Sequence, residues 1–216
     1  YIAAGGNDLG SVTDWQDEVT QTGISNVHNI AIASGSQSTS FRASVNYRNV
    51  NGVLKKSGFD QVNVRANLSH AALDNKLKFD FGFSSTDRRS DFSFNEALRH
   101  AVLFNPTAPV RFPNGDFYQA ILFDNFNPVA ILEQNINEGK RKTINYNARV
   151  DYSLLENLTL TVNFARQFEN NFNGTYYSRN SFFVGLNRKG LARRFMSDAD
   201  FTLFEGWGTY QKSFGK

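Results

Sequence analysis

Few residues in this chain have the types and spacing that catalysis requires. The three histidines, His28, His70 and His100, are far apart, and no metal-ligand spacing joins them. Asp80 and Asp151 each follow a Lys or Arg by two positions on the same strand face, so paired wall charges explain them better than acid–base chemistry. Cysteine is absent and no Gly-rich phosphate loop is present. The sequence therefore predicts no catalytic residue, no metal site and no cofactor.

Composition narrows the class of protein. The 216 residues suffice for one all-β domain. A mean hydropathy of −0.44 and dispersed charges leave no apolar run long enough for a transmembrane helix. A β-barrel would escape a hydropathy search, because every second residue faces away from lipid. The net charge of +3 is too small to indicate a nucleic-acid partner.

Five stretches alternate apolar and polar residues almost without fault. Side chains on a strand point to opposite faces in turn, so each stretch has one apolar face, free of charge, and one polar face. The stretches are 41–48, 62–69, 77–84, 143–152 and 158–164. Long strands of this kind, with aromatic residues near their ends, are typical of a membrane β-barrel.

Seven strands are predicted, joined alternately by short and long connectors. The predicted strands are Asn26–Ser34, Thr39–Asn49, Phe59–Ala71, Lys76–Thr86, Lys142–Tyr152, Leu158–Phe168 and Asp200–Ser213. The pattern leaves open which face of the last strand points to lipid. Barrels place short turns on the periplasmic side and long loops outside. The predicted fold class is therefore all-β: an antiparallel transmembrane β-barrel, partial at about seven strands, with long extracellular loops.

The connecting segments contain short helices. A capping box at Ser93–Glu96 predicts a helix to about Phe104. Asn127 before a proline predicts a second helix that ends at Gln134. A similar cap in the segment Thr13-Asp14-Trp15-Gln16 predicts a third, short helix that runs through Val19.

An odd strand count shapes the expected domain organisation. Seven strands cannot close a single-chain bacterial barrel, and open edges in lipid are costly. We therefore expect residues 1–25 to precede the first full strand and residues 26–216 to form part of a barrel, with the remaining strands elsewhere. Two alternatives stay open: a small structural or adhesive outer-membrane barrel, and a soluble glycan-binding β-sandwich, which shows the same alternation.

An ordered series of motifs resembles one family of outer-membrane proteins. Thr13-Asp14-Trp15-Gln16-Asp17-Glu18-Val19-Thr20-Gln21-Thr22-Gly23 resembles the segment near the first barrel strands of SusC/RagA-type TonB-dependent transporters. Further similar motifs follow in the same order: Asn51-Gly52-Val53-Leu54-Lys55, Ala97-Leu98-Arg99, Asn105-Pro106-Thr107-Ala108-Pro109-Val110 and Asn127-Pro128-Val129-Ala130. The resemblance covers nearly the whole chain.

The resemblance implies a function and a set of partners. Members of this family form 22-stranded barrels with an N-terminal plug. A SusD-like surface lipoprotein covers the mouth, and the TonB complex drives import of oligosaccharides or peptides. We therefore expect a place in the bacterial outer membrane, with the plug and the TonB-contacting segment in parts that this sequence does not include.

Aromatic residues in the predicted outer loops are candidates for cargo contact, because their faces stack on sugar rings or on peptide side chains. The predicted cargo residues are Phe117, Tyr118, Tyr176, Tyr177 and Arg99, with Phe123 and Phe126 in the same loops. The alternative is that these rings pack the loops together.

Basic clusters recur where the predicted strands meet the outer loops. Guanidinium groups match phosphate geometry well, and the outer leaflet carries lipid phosphates. The residues predicted to contact lipopolysaccharide are Arg88, Arg89, Arg141, Arg193 and Arg194. The alternative is ordinary solvated charge.

Overall fold

A computed structural model describes residues 2–120 and 124–213, which form one antiparallel sheet topped by a cluster of loops and short helices. The sheet order is β1-β2-β3-β4-β5-β6-β7, so every strand pairs with its neighbour in sequence. The strands are β1 (Ile24–Gly35), β2 (Thr39–Asn51), β3 (Ser57–Ala72), β4 (Leu77–Phe92), β5 (Asn135–Leu155), β6 (Leu158–Tyr177) and β7 (Leu191–Tyr210). All seven predicted strands are confirmed.

The strand register collects the apolar residues on one face of the sheet. Leu68, Phe81, Ala148, Phe164 and Phe204 are direct cross-strand neighbours and form one row across β3 to β7. The rows below it are also largely apolar and complete an apolar belt. The row above continues the belt through Ala66, Phe83 and Tyr146 and then holds Arg166, which pairs with Asp200 at 2.6 Å on the same face. No described residue covers this face, and Phe81 is 46% exposed and Phe204 72% exposed. The described strands form a single layer, so the β-sandwich alternative is wrong for this part of the chain.

The opposite face is polar along the same strands. Ser69, Asp80, Arg149 and Asn163 are direct neighbours there. Arg149 Nη2 lies 3.0 Å from Asp151 Oδ1, which confirms the predicted pairing of wall charges for this strand. Arg149 also stacks on a tryptophan of β7, at 5.5 Å from the ring centroid. The last strand turns its even-numbered residues to the apolar face, which settles the register that the sequence left open.

The sequence pattern placed the outer ends of several strands too close to the apolar belt. β4 continues to Phe92, β5 starts at Asn135, β6 continues to Tyr177 and β7 starts at Leu191. Alternation detects a strand only where one face meets an apolar environment. Beyond the apolar belt both faces become polar, although the backbone ladder continues. The strands therefore extend well past the belt on the side of the long loops.

Three short α-helices of the described chain lie at this outer end: α1 (Trp15–Val19), α2 (Glu96–Leu103) and α3 (Pro128–Gln134), and two single-turn 3₁₀-helices cover Ile2–Ala4 and Leu186–Arg188. The buried hydrophobic residues gather among these helices and their loops rather than on the sheet. Trp15 packs edge-on against Phe104, with ring centroids 4.8 Å apart, and donates from Nε1 to the Asn105 carbonyl at 2.9 Å. No described helix is long and apolar enough to cross a membrane.

Two of the three predicted helix caps are confirmed. Asp14 accepts from the backbone amides of the first turn of α1, and Asn127 does the same for α3. The capping box of α2 is wrong. Asn95 occupies the cap position without a side-chain bond, and Ser93 adopts a left-handed conformation from which its hydroxyl donates to the Lys55 carbonyl. The Ser93 side chain therefore ties α2 to the β2–β3 connection instead of capping the helix.

Candidate binding groove in the outer loops

The loop between β4 and β5 is organised by one buried amide. Asn127 is fully buried, and its Nδ2 donates to the carbonyls of Val110 and Tyr118, both at 2.9 Å. Its Oδ1 accepts from the amides of Val129 and Ala130 at the start of α3. One side chain thus fixes three stretches of the loop, because each of its hydrogen-bonding sites is used.

An open groove lies between this loop and the β6–β7 loop. Its volume is about 770 Å³, and its walls combine aromatic side chains with polar and charged ones. The lining side chains that matter here are Arg111, Phe112, Phe117, Gln134, Phe182 and Leu186. A second groove of about 820 Å³ adjoins it and shares Phe182 and Leu186. Grooves of this size and polarity are suited to small ligands or to segments of larger ones.

Polar groups lie at the rim of the groove. The Arg111 guanidinium stacks 3.6 Å above the centroid of Phe117 and pairs with Glu133 at 2.6 Å. Gln134 Oε1 is buried and has no hydrogen-bond partner among the described residues. The groove therefore combines stacking surfaces with a few directional contacts.

Of the residues predicted to contact cargo, one lines the groove and two pack inside the loops. Phe117 lines the groove, beneath Arg111. Tyr118 packs against Phe104 and Phe112, and Tyr177 packs against Phe94 and Phe183, so these two rings stabilise the loops. Burial raises the pKa of the Tyr177 phenol.

The remaining predicted cargo residues lie away from the first groove. Tyr176 points to the same side of the sheet as the apolar belt, near the outer end of β6. Arg99 is exposed on α2 and pairs with Asp124 at 3.1 Å. Phe126 lines the adjoining groove and packs edge-on against His100. Phe123 lies outside the described residues. Phe112, Phe182 and Leu186 were missed, because no periodic pattern marks loop residues that meet only through tertiary packing.

The five arginines predicted to contact lipopolysaccharide fall on opposite faces. Arg88, Arg141 and Arg193 lie on the polar face, where Arg88 stacks on Phe59 at 3.8 Å and Arg141 pairs with a glutamate of β6 at 2.8 Å. Arg89 and Arg194 lie on the face of the apolar belt. Adjacent basic residues on a strand are therefore separated by its alternation.

His100 is the buried titratable group of the loop cluster. It is 1% exposed, and its ring packs edge-on against Phe126 and Phe183. Burial lowers the pKa of His100, and the neighbouring Arg99 lowers it further. The three histidines remain apart, and within residues 2–120 and 124–213 no three His, Asp or Glu side chains are grouped as metal ligands.

Sequence comparisons identify relatives among TonB-dependent receptors. TonB-dependent receptor SusC of Bacteroides thetaiotaomicron is 32% identical over 114 residues, which is 52% of this chain and 11% of the relative. TonB-dependent receptor P3 of Formosa agariphila is 26% identical over 94% of this chain and 21% of its own length. The chain thus spans about a fifth or less of these curated relatives. No protein-family model matches it.

Comparison with solved structures gives the same result for the fold. The RagAB peptide importer in its closed-closed state superposes with a TM-score of 0.74 over 97% of this chain and 24% of the importer chain, at 17% identity. A second structure, of the RagAB peptide transporter, gives a TM-score of 0.75 over 96% of the chain at 16% identity. The predicted fold, an antiparallel β-barrel wall with long loops, is confirmed. The resemblance of this chain to the SusC/RagA-type TonB-dependent transporters is likewise confirmed.

Proposed function

We propose that these residues form part of the barrel wall and outer loops of a SusC-like transporter that imports oligosaccharides or peptides across the bacterial outer membrane. The observation that carries the proposal is the broad apolar belt on one face of the sheet, which no described residue covers. In water such a face would be unstable, whereas lipid is its natural surrounding. The receptor relatives and the importer fold support the same conclusion.

Within that proposal the sheet is a passive wall. Its polar face lines the lumen, where pairs such as Arg149–Asp151 and Arg141–Glu169 neutralise one another beside water. Energy coupling belongs to parts of the transporter other than these strands, through contact with the TonB complex.

The groove in the outer loops is the proposed cargo contact. Phe182, which is 47% exposed, offers a ring face to a sugar or to an apolar peptide side chain. A SusD-like lipoprotein would rest on α2, whose outer surface exposes Leu98, Val102 and Leu103 while His100 and Ala101 face the loop cluster. Three neighbouring aliphatic side chains in water favour a protein partner over solvent.

The mass of the native polypeptide that carries these residues tests the architecture. The chain weighs 24.3 kDa and covers about a quarter of the RagAB importer chain. We expect a native mass about four times larger, measured by intact mass spectrometry after extraction of outer membranes. A native mass close to that of this chain would contradict the transporter and favour the small structural barrel.

Uptake tests the activity. A deletion strain should lose uptake of one class of labelled pool, oligosaccharides or peptides, and the wild-type uptake should stop when a protonophore removes the energy supply. Phe182→Ala should weaken cargo binding about two- to tenfold, the range expected for one aromatic contact. Phe204→Ala is the matched control, because Phe204 lies on the apolar belt. Unchanged uptake of both pools in the deletion strain would refute the proposal.

A further inference from the structure

The charges on the belt face of the sheet balance one another. Arg89 lies directly opposite Asp60, and Arg166 pairs with Asp200. Further bases and acids alternate on this face of the described strands: Lys140, Lys142, Arg194, Asp87, Asp91, Glu138 and Asp198. The belt face therefore has no excess of positive charge.

The polar face differs between its two halves. On β5 and β6 the arginines of this face have carboxylate partners, since Arg141 pairs with Glu169 at 2.8 Å and Arg149 with Asp151 at 3.0 Å. On β2, β3 and β4 the same face carries four arginines, which we name the arginine cluster: Arg42, Arg48, Arg65 and Arg88. Within the described chain none of these four makes an ion pair.

Acidic side chains of the polar face are engaged elsewhere. The polar face of β1, β2 and β3 carries no acid along the described strands. On β4, Asp80 lies directly opposite Arg149. Glu169 binds Arg141 with both carboxylate oxygens, so Arg88, the direct cross-strand partner of Arg141, is left without a carboxylate. Like charges directly opposite one another destabilise a sheet.

Two members of the arginine cluster share one aromatic ring. Arg48 Cζ lies 5.4 Å and Arg88 Cζ 3.8 Å from the ring centroid of Phe59. Gln61 lies between the two arginines on the sheet and is the direct partner of both. The wall thus holds like charges close together without an acid between them. A surface lined by one sign of charge raises the local concentration of ligands of the opposite sign.

The arginine cluster runs along the strands as a track. Arg42 and Arg48 are six residues apart on β2, which is roughly 20 Å at about 3.3 Å per residue. Arg42 and Arg65 lie within the span of the apolar belt, whereas Arg48 and Arg88 lie beyond it, toward the outer loops. Side-chain amides occupy the same face between the arginines: Asn46, Gln61, Asn63 and Asn67. An extended peptide of about six residues has the same length as this track.

We infer that the arginine cluster binds the carboxylates of an acidic, extended peptide, so that the transporter takes cargo rich in Asp and Glu. A guanidinium group matches both oxygens of a carboxylate, and side-chain amides can donate to and accept from peptide groups. Phe59 is already covered by guanidinium groups and offers no free face for stacking on a sugar, which favours a peptide over an acidic oligosaccharide. The inference rests on the proposed function, because cargo meets the polar face if that face lines a lumen.

Double variants of the native polypeptide test the inference. The two cluster doubles are Arg48→Gln with Arg88→Gln and Arg42→Gln with Arg65→Gln. The control double is Arg89→Gln with Lys140→Gln, which removes the same charge from the opposite face. Each protein is purified in detergent together with any lipoprotein that accompanies it. It is titrated by calorimetry, at low and at high salt, with three probes: a hexapeptide of alternating Asp and Ala, its Asn analogue, and a hexameric oligouronate.

Each cluster double should bind the Asp peptide about five- to thirtyfold more weakly than wild type, the loss expected for two solvated charge pairs. The control double should bind it as wild type does, and the Asn analogue should bind weakly to every protein. High salt should remove most of the preference of the wild type for the Asp peptide. A further double, Arg48→Lys with Arg88→Lys, should retain most of the affinity, because the charge remains.

Four results would each overturn the inference. The first is equal affinity of the wild type for the Asp peptide and its Asn analogue. The second is an equal loss of affinity in the cluster and control doubles. The third is binding of the oligouronate that exceeds binding of the Asp peptide and is lost in the cluster doubles. The fourth is unchanged affinity for the Asp peptide with a lower melting temperature in the cluster doubles, which would show that another segment of the polypeptide neutralises the arginines. Uptake of the labelled pools by wild-type and deletion strains tests the proposed function separately in every case.

Discussion

Replacing Asn127 by alanine should release the β4–β5 loop while leaving the sheet intact. The side chain is fully buried and makes four hydrogen bonds, two as donor and two as acceptor. Alanine removes the cap of α3 and leaves the Tyr118 carbonyl without its partner, whereas the Val110 carbonyl keeps the Tyr118 backbone amide as a donor at 3.1 Å. The sheet does not depend on these bonds, so the effect should be confined to the loop cluster.

The size of the effect follows from the bonds lost. Loss of a helix N-cap costs about 1 kcal/mol, and the one carbonyl left unpaired, that of Tyr118, costs about 1–3 kcal/mol. The free energy of local opening should therefore fall by about 2–4 kcal/mol in total. Since about 1.4 kcal/mol corresponds to a factor of ten, the opening equilibrium should rise roughly 30- to 10³-fold.

Hydrogen exchange of the native polypeptide measures this opening directly. Amides of α3 should exchange faster in Asn127→Ala by the factor above, while amides of β5 below the loop should not change. Asn114→Ala is the matched control, because Asn114 is an exposed asparagine of the same loop that bonds only to Asp116. Equal exchange in the two variants would refute the argument that one amide organises the loop.

Asn127→Asp separates the two halves of the argument. The introduced carboxyl keeps the acceptor for α3 but replaces the donor with an oxygen that faces two carbonyl oxygens. Its folded-state pKa should therefore be raised, because only the protonated form can donate to a carbonyl. Stability is then greatest below the ordinary carboxyl pKa and is lost as the pH rises through the raised value. Protection factors for α3 that are higher at neutral pH than at low pH would contradict this.

Three further predictions concern the same loop cluster. Burial lowers the pKa of His100, so the unfolded state takes up a proton at a higher pH than the folded state does. The loop cluster should therefore lose stability as the pH falls below about 6.5. His100→Gln should abolish this pH dependence of the protection against hydrogen exchange. Trp15→Ala should cost about 3–5 kcal/mol of local stability, seen as faster exchange over α1, and unchanged exchange would show that the ring does not hold the helix. Gly185→Ala places a methyl carbon 1.8 Å from the Ser178 carbonyl oxygen, so the local stability of the β6–β7 loop should fall by at least about 1–3 kcal/mol. The loss should appear as faster proteolysis of this loop. In the control Gly206→Ala the new carbon meets nothing closer than 3.8 Å.

The sequence predicted the wall well because lipid imposes a strict rule on it. Successive residues of a strand such as 77–83 face an apolar and an aqueous environment in turn. The sequence therefore alternates between apolar and polar side chains and records the environment of each residue. The rule ends where the lipid ends. Residues 87–92 remain in β4 although Asp87, Arg89 and Asp91 replace the apolar side chains, and for that reason the outer ends were missed.

The loops obey no such rule, and their prediction was uneven. The cap of α3 was recognised because Asn127 and the proline that follows it act locally. The role of Ser93 was missed, because its hydroxyl partner, Lys55, is distant in sequence. Sequence could not distinguish Phe117, which lines the groove, from Tyr118, which packs inside the cluster. Adjacent aromatic residues in a loop give the same signal whether they face a ligand or one another.

The buried hydrophobic residues of the described chain lie in the loops, and the sheet has no core of its own. Unfolding of the loop cluster would transfer apolar surface into water, which produces a positive heat-capacity change and a stability that declines on cooling. The side chains of the apolar belt are not transferred from a protein interior into water, so they contribute little to this heat-capacity change. Near the freezing point the loops should therefore loosen over a wall that stays rigid, so that the binding groove and the barrel have separate temperature limits.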